Sequence, residues 1–436
     1  MSQFRLARIS LLLAAIGLNA APVFLTSAHA QDKAAAPAAG AKKEEQIRPE
    51  MYKLIEPTKI KEMIAAKKFA DVQAAITAAE AVPNHTPYED YVIGRMKVAL
   101  GYASNNEKMV ADSLESTINS GFLEKKELED FTITLANSYY TAKNYPKAIE
   151  WYKRYQKDSA TPEKVAVSLN RAYFFGGDVA TAKTELDKSI AAAEAAGKPP
   201  TEEDLRLLAG VYEKTKDKDG YAKVMEKLVT YYPTPEFWSD MLRRLQNKPG
   251  FNDRVQIDYY RLQAVATTEM SADQYVEYAE RALLAASFAE AKKVVDKGYA
   301  TNVLGQGSDA AKHKSLRDRV NKNAADDAKS IDAGEAGALK AKTGLPLVNL
   351  GFTYVTMDQF DKGIGLMEKG IAKGGLKNEK ESQLRLGEAY ALAGRKADAL
   401  KVFESLKGAP DTVGDLARYW IMYVNGPKGT PAAKTN

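Results

Sequence analysis

Cysteine is absent from the 436 residues. That absence removes disulfides, thiol catalysis, thiolate metal centres and a lipid-modified cysteine behind a leader, so no lipid anchor is expected. Histidine is nearly as scarce, at 3 residues. His29 falls in the leader described below. His85 and His313 have no second histidine or carboxylate at metal-ligand spacing, so each reads as a surface or turn residue. Gly305-Gln306-Gly307 lacks the lysine and the length of a phosphate loop. Gly374-Gly375 stands where a helix would end, and Asp326-Asp327 lacks the alternating oxygen ligands of a calcium loop. Charge of one sign does not dominate either. A net +5 over the chain, with Arg5 and Arg8 in the leader, carries no nucleic-acid footprint. No catalytic, cofactor-binding or metal residue is expected.

Long apolar runs are also missing after the first 30 residues, so no later segment is expected to span a bilayer. Residues 1–30 read as a secretory leader. Arg5 and Arg8 open it, Ile9 to Leu18 form its apolar stretch, and Ala28-His29-Ala30 is a small-x-small cleavage site. Cleavage is expected between Ala30 and Gln31, which places the mature protein in a bacterial periplasm. Residues 31–50 are rich in Ala, Lys and Pro and read as a disordered tether, and 425–436 as a free tail.

What is present is a repeat. Leu350-Gly351-Phe352-Thr353-Tyr354 and Leu386-Gly387-Glu388-Ala389-Tyr390 share a pattern. In each, a small residue follows twelve positions after the glycine (Gly363, Ala399) and a bulky one four positions later (Met367, Phe403). Weaker copies lie upstream: Leu135-Ala136 and Tyr139 with Ala148 and Tyr152; Leu169-Asn170 and Tyr173 with Ala182 and Leu186; Leu208-Ala209 and Tyr212 with Tyr221 and Met225; Tyr278-Ala279 and Ala282 with Ala291 and Val295. On a helix these residues share one face. The small ones let a second helix approach, and large neighbours fill the gaps. One such hairpin cannot bury its apolar face alone, so stacking is required.

The pattern resembles the tetratricopeptide repeat, a helix–turn–helix of 34 residues with Leu-Gly-x-x-Tyr, then Ala, Phe and Pro at set offsets. Trp238, after Pro233, stands where a further repeat would place its opening aromatic. Asn170 and Tyr221 depart from the small-residue rule, and the closing Pro is usually missing. The resemblance implies an all-α, right-handed superhelical solenoid of about eight to ten helix pairs. It divides the chain into a divergent array over 51–304, a polar stretch over 305–344, and a C-terminal pair of repeats with a capping helix over 345–424. The polar stretch has two readings: an eroded repeat, because a solenoid tolerates gaps poorly, or a mobile linker, favoured by Gly334 and Gly337.

In this family the first helices of the repeats line a groove. Carried over residue by residue, that implies Asn137, Tyr140 and Thr141 from one repeat and Arg171, Phe174 and Phe175 from the next. The alternative is that Tyr140, Phe174 and Phe175 pack between helices. A carboxylate clamp of the family's chaperone-binding kind is not expected, since Ile133, Ser168, Glu203 and Leu207 stand at its other positions. The expected function is a non-enzymatic periplasmic scaffold for an envelope protein or peptide, as an accessory to a TonB/ExbB-type complex or to polymer or outer-membrane assembly. The competing classes are a carbohydrate- or peptidoglycan-processing enzyme, with its site in 305–344, and a pocketed small-molecule binder.

Overall fold

The structure, a computed structural model, describes residues 46–267 and 269–426. The leader, most of the expected tether and residues 427–436 lie outside the described residues. Among the described residues every regular element is helical. The chain divides into two compact units after Lys188, inside the stretch that the repeat pattern treats as one array.

Unit 1 holds α1 (Pro49–Leu54), α2 (Pro57–Ala65), α3 (Phe69–Glu80), α4 (Pro87–Ser104), α5 (Glu107–Asn119), α6 (Lys125–Thr141), α7 (Tyr145–Asp158) and α8 (Ala166–Phe175). Helix α9 (Val179–Ala195) runs across the division. Unit 2 holds α10 (Glu202–Lys214), α11 (Lys218–Tyr231), α12 (Pro235–Gln246), α13 (Gln256–Ala266), α14 (Ala272–Leu284), α15 (Phe288–Ala300), α16 (Ala310–Lys340), α17 (Leu345–Thr356), α18 (Phe360–Lys373), α19 (Glu379–Leu392), α20 (Lys396–Leu406) and α21 (Thr412–Asn425).

Consecutive helices pair through one recurring turn. A residue with positive φ separates the two helices at Lys67, Asn105, Lys143, Gly177, Lys216, Ala286, Asp358 and Gly394. In five copies of the motif, the last position accepts a hydrogen bond from the N–H five residues on. These bonds run from Asn144 to Tyr139, Asp217 to Tyr212, Ser287 to Ala282, Gln359 to Tyr354 and Arg395 to Tyr390, at 2.9 Å each. This is the left-handed C-terminal cap that reverses a chain and satisfies an orphan carbonyl.

The motif residues form the cores of the pairs. Leu135, Ala136, Tyr139, Ala148 and Tyr152 are buried, as are Leu169, Asn170, Tyr173, Ala182 and Leu186. Gly351 and Gly363 face each other so closely that a Cβ on either would lie 2.5 Å from the other's carbonyl oxygen. At the third copy the register moves by one. Gly220 is the buried small residue, the Tyr212 ring occupies the space of its missing Cβ, and Tyr221 is only partly buried.

Two boundaries differ from the sequence reading. The tether was expected to reach residue 50, yet Ile47 packs against the first core cluster and α1 starts at Pro49. The cause is Glu89. It closes a capping box with Thr86 at the start of α4 and, fully buried, accepts from the Arg48 backbone N–H at 3.0 Å and from the Arg48 guanidinium at 2.9 Å. The polar stretch 305–344 is neither a repeat hairpin nor a linker but the single 31-residue helix α16. Leu316 and Val320 are buried in its first half, and Ile331 and Ala338 pack with Leu347, Tyr354 and Leu366 in its second. Gly334 and Gly337 sit exposed within it.

Unit 2 also makes contacts that a stack of nearest neighbours would lack. Helix α21, expected to cover the end of the array, stacks Trp420 on Phe403 of α20 at 5.7 Å and sets Tyr423 against Trp238 of α12 at 6.4 Å. Asp415 of α21 pairs with Lys248 at 2.7 Å, and Thr412 accepts from the Asn252 N–H at 3.0 Å. Helix α19 likewise reaches back to α13, 127 residues earlier in sequence.

Candidate functional site

The six residues implied by the repeat fall on one face of unit 1. Helix α6 buries Leu135, Ala136 and Tyr139, and one step around the helix this turns Asn137 and Thr141 to solvent and leaves Tyr140 half-buried. Helix α8 buries Leu169, Ala172 and Tyr173, which leaves Arg171 and Phe175 exposed and Phe174 half-buried. The side chains connect through α7. Tyr152 is buried, and its hydroxyl donates to Asn137 Oδ1 at 2.6 Å. Burial pushes that hydroxyl up to about 12, opposed by a hydrogen bond with Ser168 and the charge of Arg171, with Tyr140 adding to the rise. Tyr152 therefore stays a neutral donor and ties the two first helices to one second helix.

An aromatic run continues from there. Tyr140 meets Tyr145 edge-on at 5.7 Å, Tyr145 stacks with Phe175 at 6.3 Å, and Phe175 meets Phe174 edge-on at 5.1 Å. Tyr140 and Phe174 pack between helices, whereas Phe175 keeps 52% of its surface exposed. Tyr145 is the ring that joins the two repeats. The face therefore offers apolar area, a guanidinium and an amide in one place.

At the other end of the α6/α7 pair, a cleft lined by Lys125, Glu129, Thr132, Tyr155 and Asp158 leaves about 20 Å³. That is room for a water, far below the volume that a small-molecule site takes. His85 and His313 do not act together. His85 Nδ1 lies 2.8 Å from Asp90 and Nε2 lies 3.0 Å from the Ala79 carbonyl. His313, expected as a surface or turn residue, is buried and accepts the Gly305 N–H at 3.1 Å. It holds the turn into α16.

The sequence reading missed a charged cluster in the core of unit 2. Arg261 of α13 is buried with its guanidinium 3.9 Å from the centroid of the Phe352 ring on α17. It donates to both oxygens of Glu290 of α15, at 2.7 and 2.8 Å, and to Asp258 at 2.6 Å. Tyr278 of α14 donates to Glu290 at 2.8 Å. From α19, Arg385 donates to Asp258 at 3.2 Å, and Glu388 lies 3.4 Å from Arg261. Burial would raise Glu290, but the charge and hydrogen bonds of Arg261 hold it below the usual carboxylate range. The α13 and α19 members lie 127 positions apart, so linear spacing could not have joined them, although Tyr278 and Glu388 each stand inside a copy of the repeat motif. The one available signal was polar identity at helix positions that the repeat register turns inward.

The tetratricopeptide repeat family model matches residues 381–412, which hold most of α19, all of α20 and the first residue of α21. No curated protein matches the chain. No helix among the described residues is long and apolar enough to cross a membrane.

Proposed function

We propose that the chain, whose residues 381–412 match the tetratricopeptide repeat, is a non-enzymatic scaffold of the cell envelope. Its partner, a protein or peptide, docks on the α6/α8 face of unit 1. Repeat arrays of paired helices are built to present surfaces to protein partners. The observation that carries the reading is Phe175, half out of the protein beside Tyr145, Phe174 and Arg171. Aromatic rings and arginine are the residue types that anchor interfaces. Tyr152 fixes the face by holding Asn137, so a partner meets groups already in place. The composition of residues 1–30 supports export to the periplasm.

Capture of envelope proteins on the purified, immobilised chain tests this. Arg171→Ala and Phe175→Ala should each weaken capture of the same partner by about 1–2 kcal/mol or more. Helicity should stay unchanged in both, and melting in Arg171→Ala, whose side chain is exposed, while Phe175→Ala should lower melting slightly through its lost contacts with Tyr145 and Phe174. Full capture by both variants would move the docking face elsewhere. N-terminal sequencing of the periplasmic fraction should begin at Gln31. Recovery only in membranes, with Met1 retained, would contradict export by cleavage.

A further inference from the structure

We propose that unit 2 closes around a stored proton: Glu388 is held as the neutral acid, and its ionisation at alkaline pH releases α19 from α13. Two guanidiniums, Arg261 and Arg385, face three carboxylates, Asp258, Glu290 and Glu388. Were all three ionised, the core would hold one uncompensated negative charge, which a buried site does not tolerate.

The hydrogen bonds show which carboxylate carries the proton. Glu290 is held by both arms of Arg261 and by Tyr278. Asp258 accepts from Arg261 and twice from Arg385, at 3.2 and 3.4 Å. Glu388 is fully buried, at 0% exposure. Among the described residues its ion pair is the 3.4 Å approach of Arg261, and its Oε1 has no hydrogen-bond partner there. It is the least compensated of the three. Burial first, then the neighbouring Asp258, raise it well above the usual carboxylate range against the pull of Arg261 and Arg385. The groups facing it are thus Asp258 and Arg261 on α13, Glu290 on α15, Tyr278 on α14 and Arg385 on its own helix, with Phe352 of α17 closing the side of Arg261.

The consequence is a seam sensitive to pH. Helix α19 carries both Arg385 and Glu388, so parting it from α13 admits water to a newly formed charge. A raised carboxyl contributes stability that is complete below its unfolded value and falls as pH rises toward its folded value.

The test is urea unfolding of the full chain with hydrogen exchange of α19, from about pH 6 to about pH 9, for the wild type and Glu388→Gln. Gln keeps the shape and cannot ionise. The wild-type folding constant should fall relative to that of the variant by roughly tenfold per pH unit until Glu388 ionises. Above that point, α19 amides should lose protection in the wild type only. Parallel profiles for the two proteins would overturn the proposal. Should the variant not fold, the side-chain carboxyl carbon of Glu388 in ¹³C-glutamate-labelled wild type decides. An acid-form shift at neutral pH supports the stored proton, and a carboxylate-form shift overturns it.

Discussion

Trp420 lies flat on Phe403, ring centroids 5.7 Å apart and planes within 8°, so the last helix of unit 2 is stacked on the helix before it. Tyr423 continues the contact edge-on to Trp420 at 5.6 Å and reaches Trp238. Trp420→Ala should cost about 3–5 kcal/mol in chemical denaturation, the range for removing a large buried aromatic. Trp420→Phe should cost far less, because it keeps a stacked ring and removes an indole N–H that has no partner. Equal losses for the two variants would mean that stacking is not what holds α21.

Glycine positions separate close approach from mere composition. Gly351→Ala or Gly363→Ala puts a methyl 2.5 Å from a backbone oxygen, so α17 and α18 must part. Each should destabilise by about 1–3 kcal/mol. Gly334→Ala and Gly337→Ala lie in the interior of α16, with nothing within 4 Å of the added Cβ. Each should stabilise by about 0.5–1 kcal/mol. Thermal melts of the four variants check the contrast in sign.

The turns make a related prediction. Ala286 sits at φ 55° and Lys216 at φ 58° between paired helices. A side chain there is strained by about 1 kcal/mol. Ala286→Gly and Lys216→Gly should therefore raise stability by a few tenths to about 1 kcal/mol in denaturation, the looser unfolded chain offsetting part of the gain.

Acid should weaken the entry to unit 1. Burial would raise Glu89, but the hydrogen bonds and charge of Arg48 and the Thr86 N–H outweigh it and hold the carboxyl at about 2. A depressed carboxyl contributes stability that is present above its unfolded value and is lost as pH falls through its folded value. That contribution fades from about pH 4.5 toward pH 2, and solvent around the part-exposed Arg48 side chain keeps it well below the full value of the shift. In Arg48→Ala the acid limb of the stability profile should flatten; an unchanged limb would show that the pair is idle.

How much of this was legible follows from what a repeat encodes. Leu135, Tyr139, Ala148 and Tyr152 could be placed because helix packing constrains residue size at fixed spacing along one hairpin. The same register put Asn137, Arg171 and Phe175 on the surface. It missed α16, because a helix with exposed glycines and sparse apolar residues looks like a break until its two neighbouring hairpins are in place. Gly220 was missed because a one-residue shift is silent until Tyr212 is seen filling the gap. The Arg261 cluster and the return of α19 and α21 depend on pairs far apart in sequence, which local periodicity does not join.

The most direct measurement is photocrosslinking in cells, with a benzophenone side chain placed at Phe175 and, separately, at exposed Lys157 on α7. The scaffold reading predicts one saturable protein adduct at Phe175, lost when Arg171→Ala is added, and none at Lys157. An adduct at Lys157 with none at Phe175, or one at Phe175 indifferent to Arg171→Ala, would contradict it.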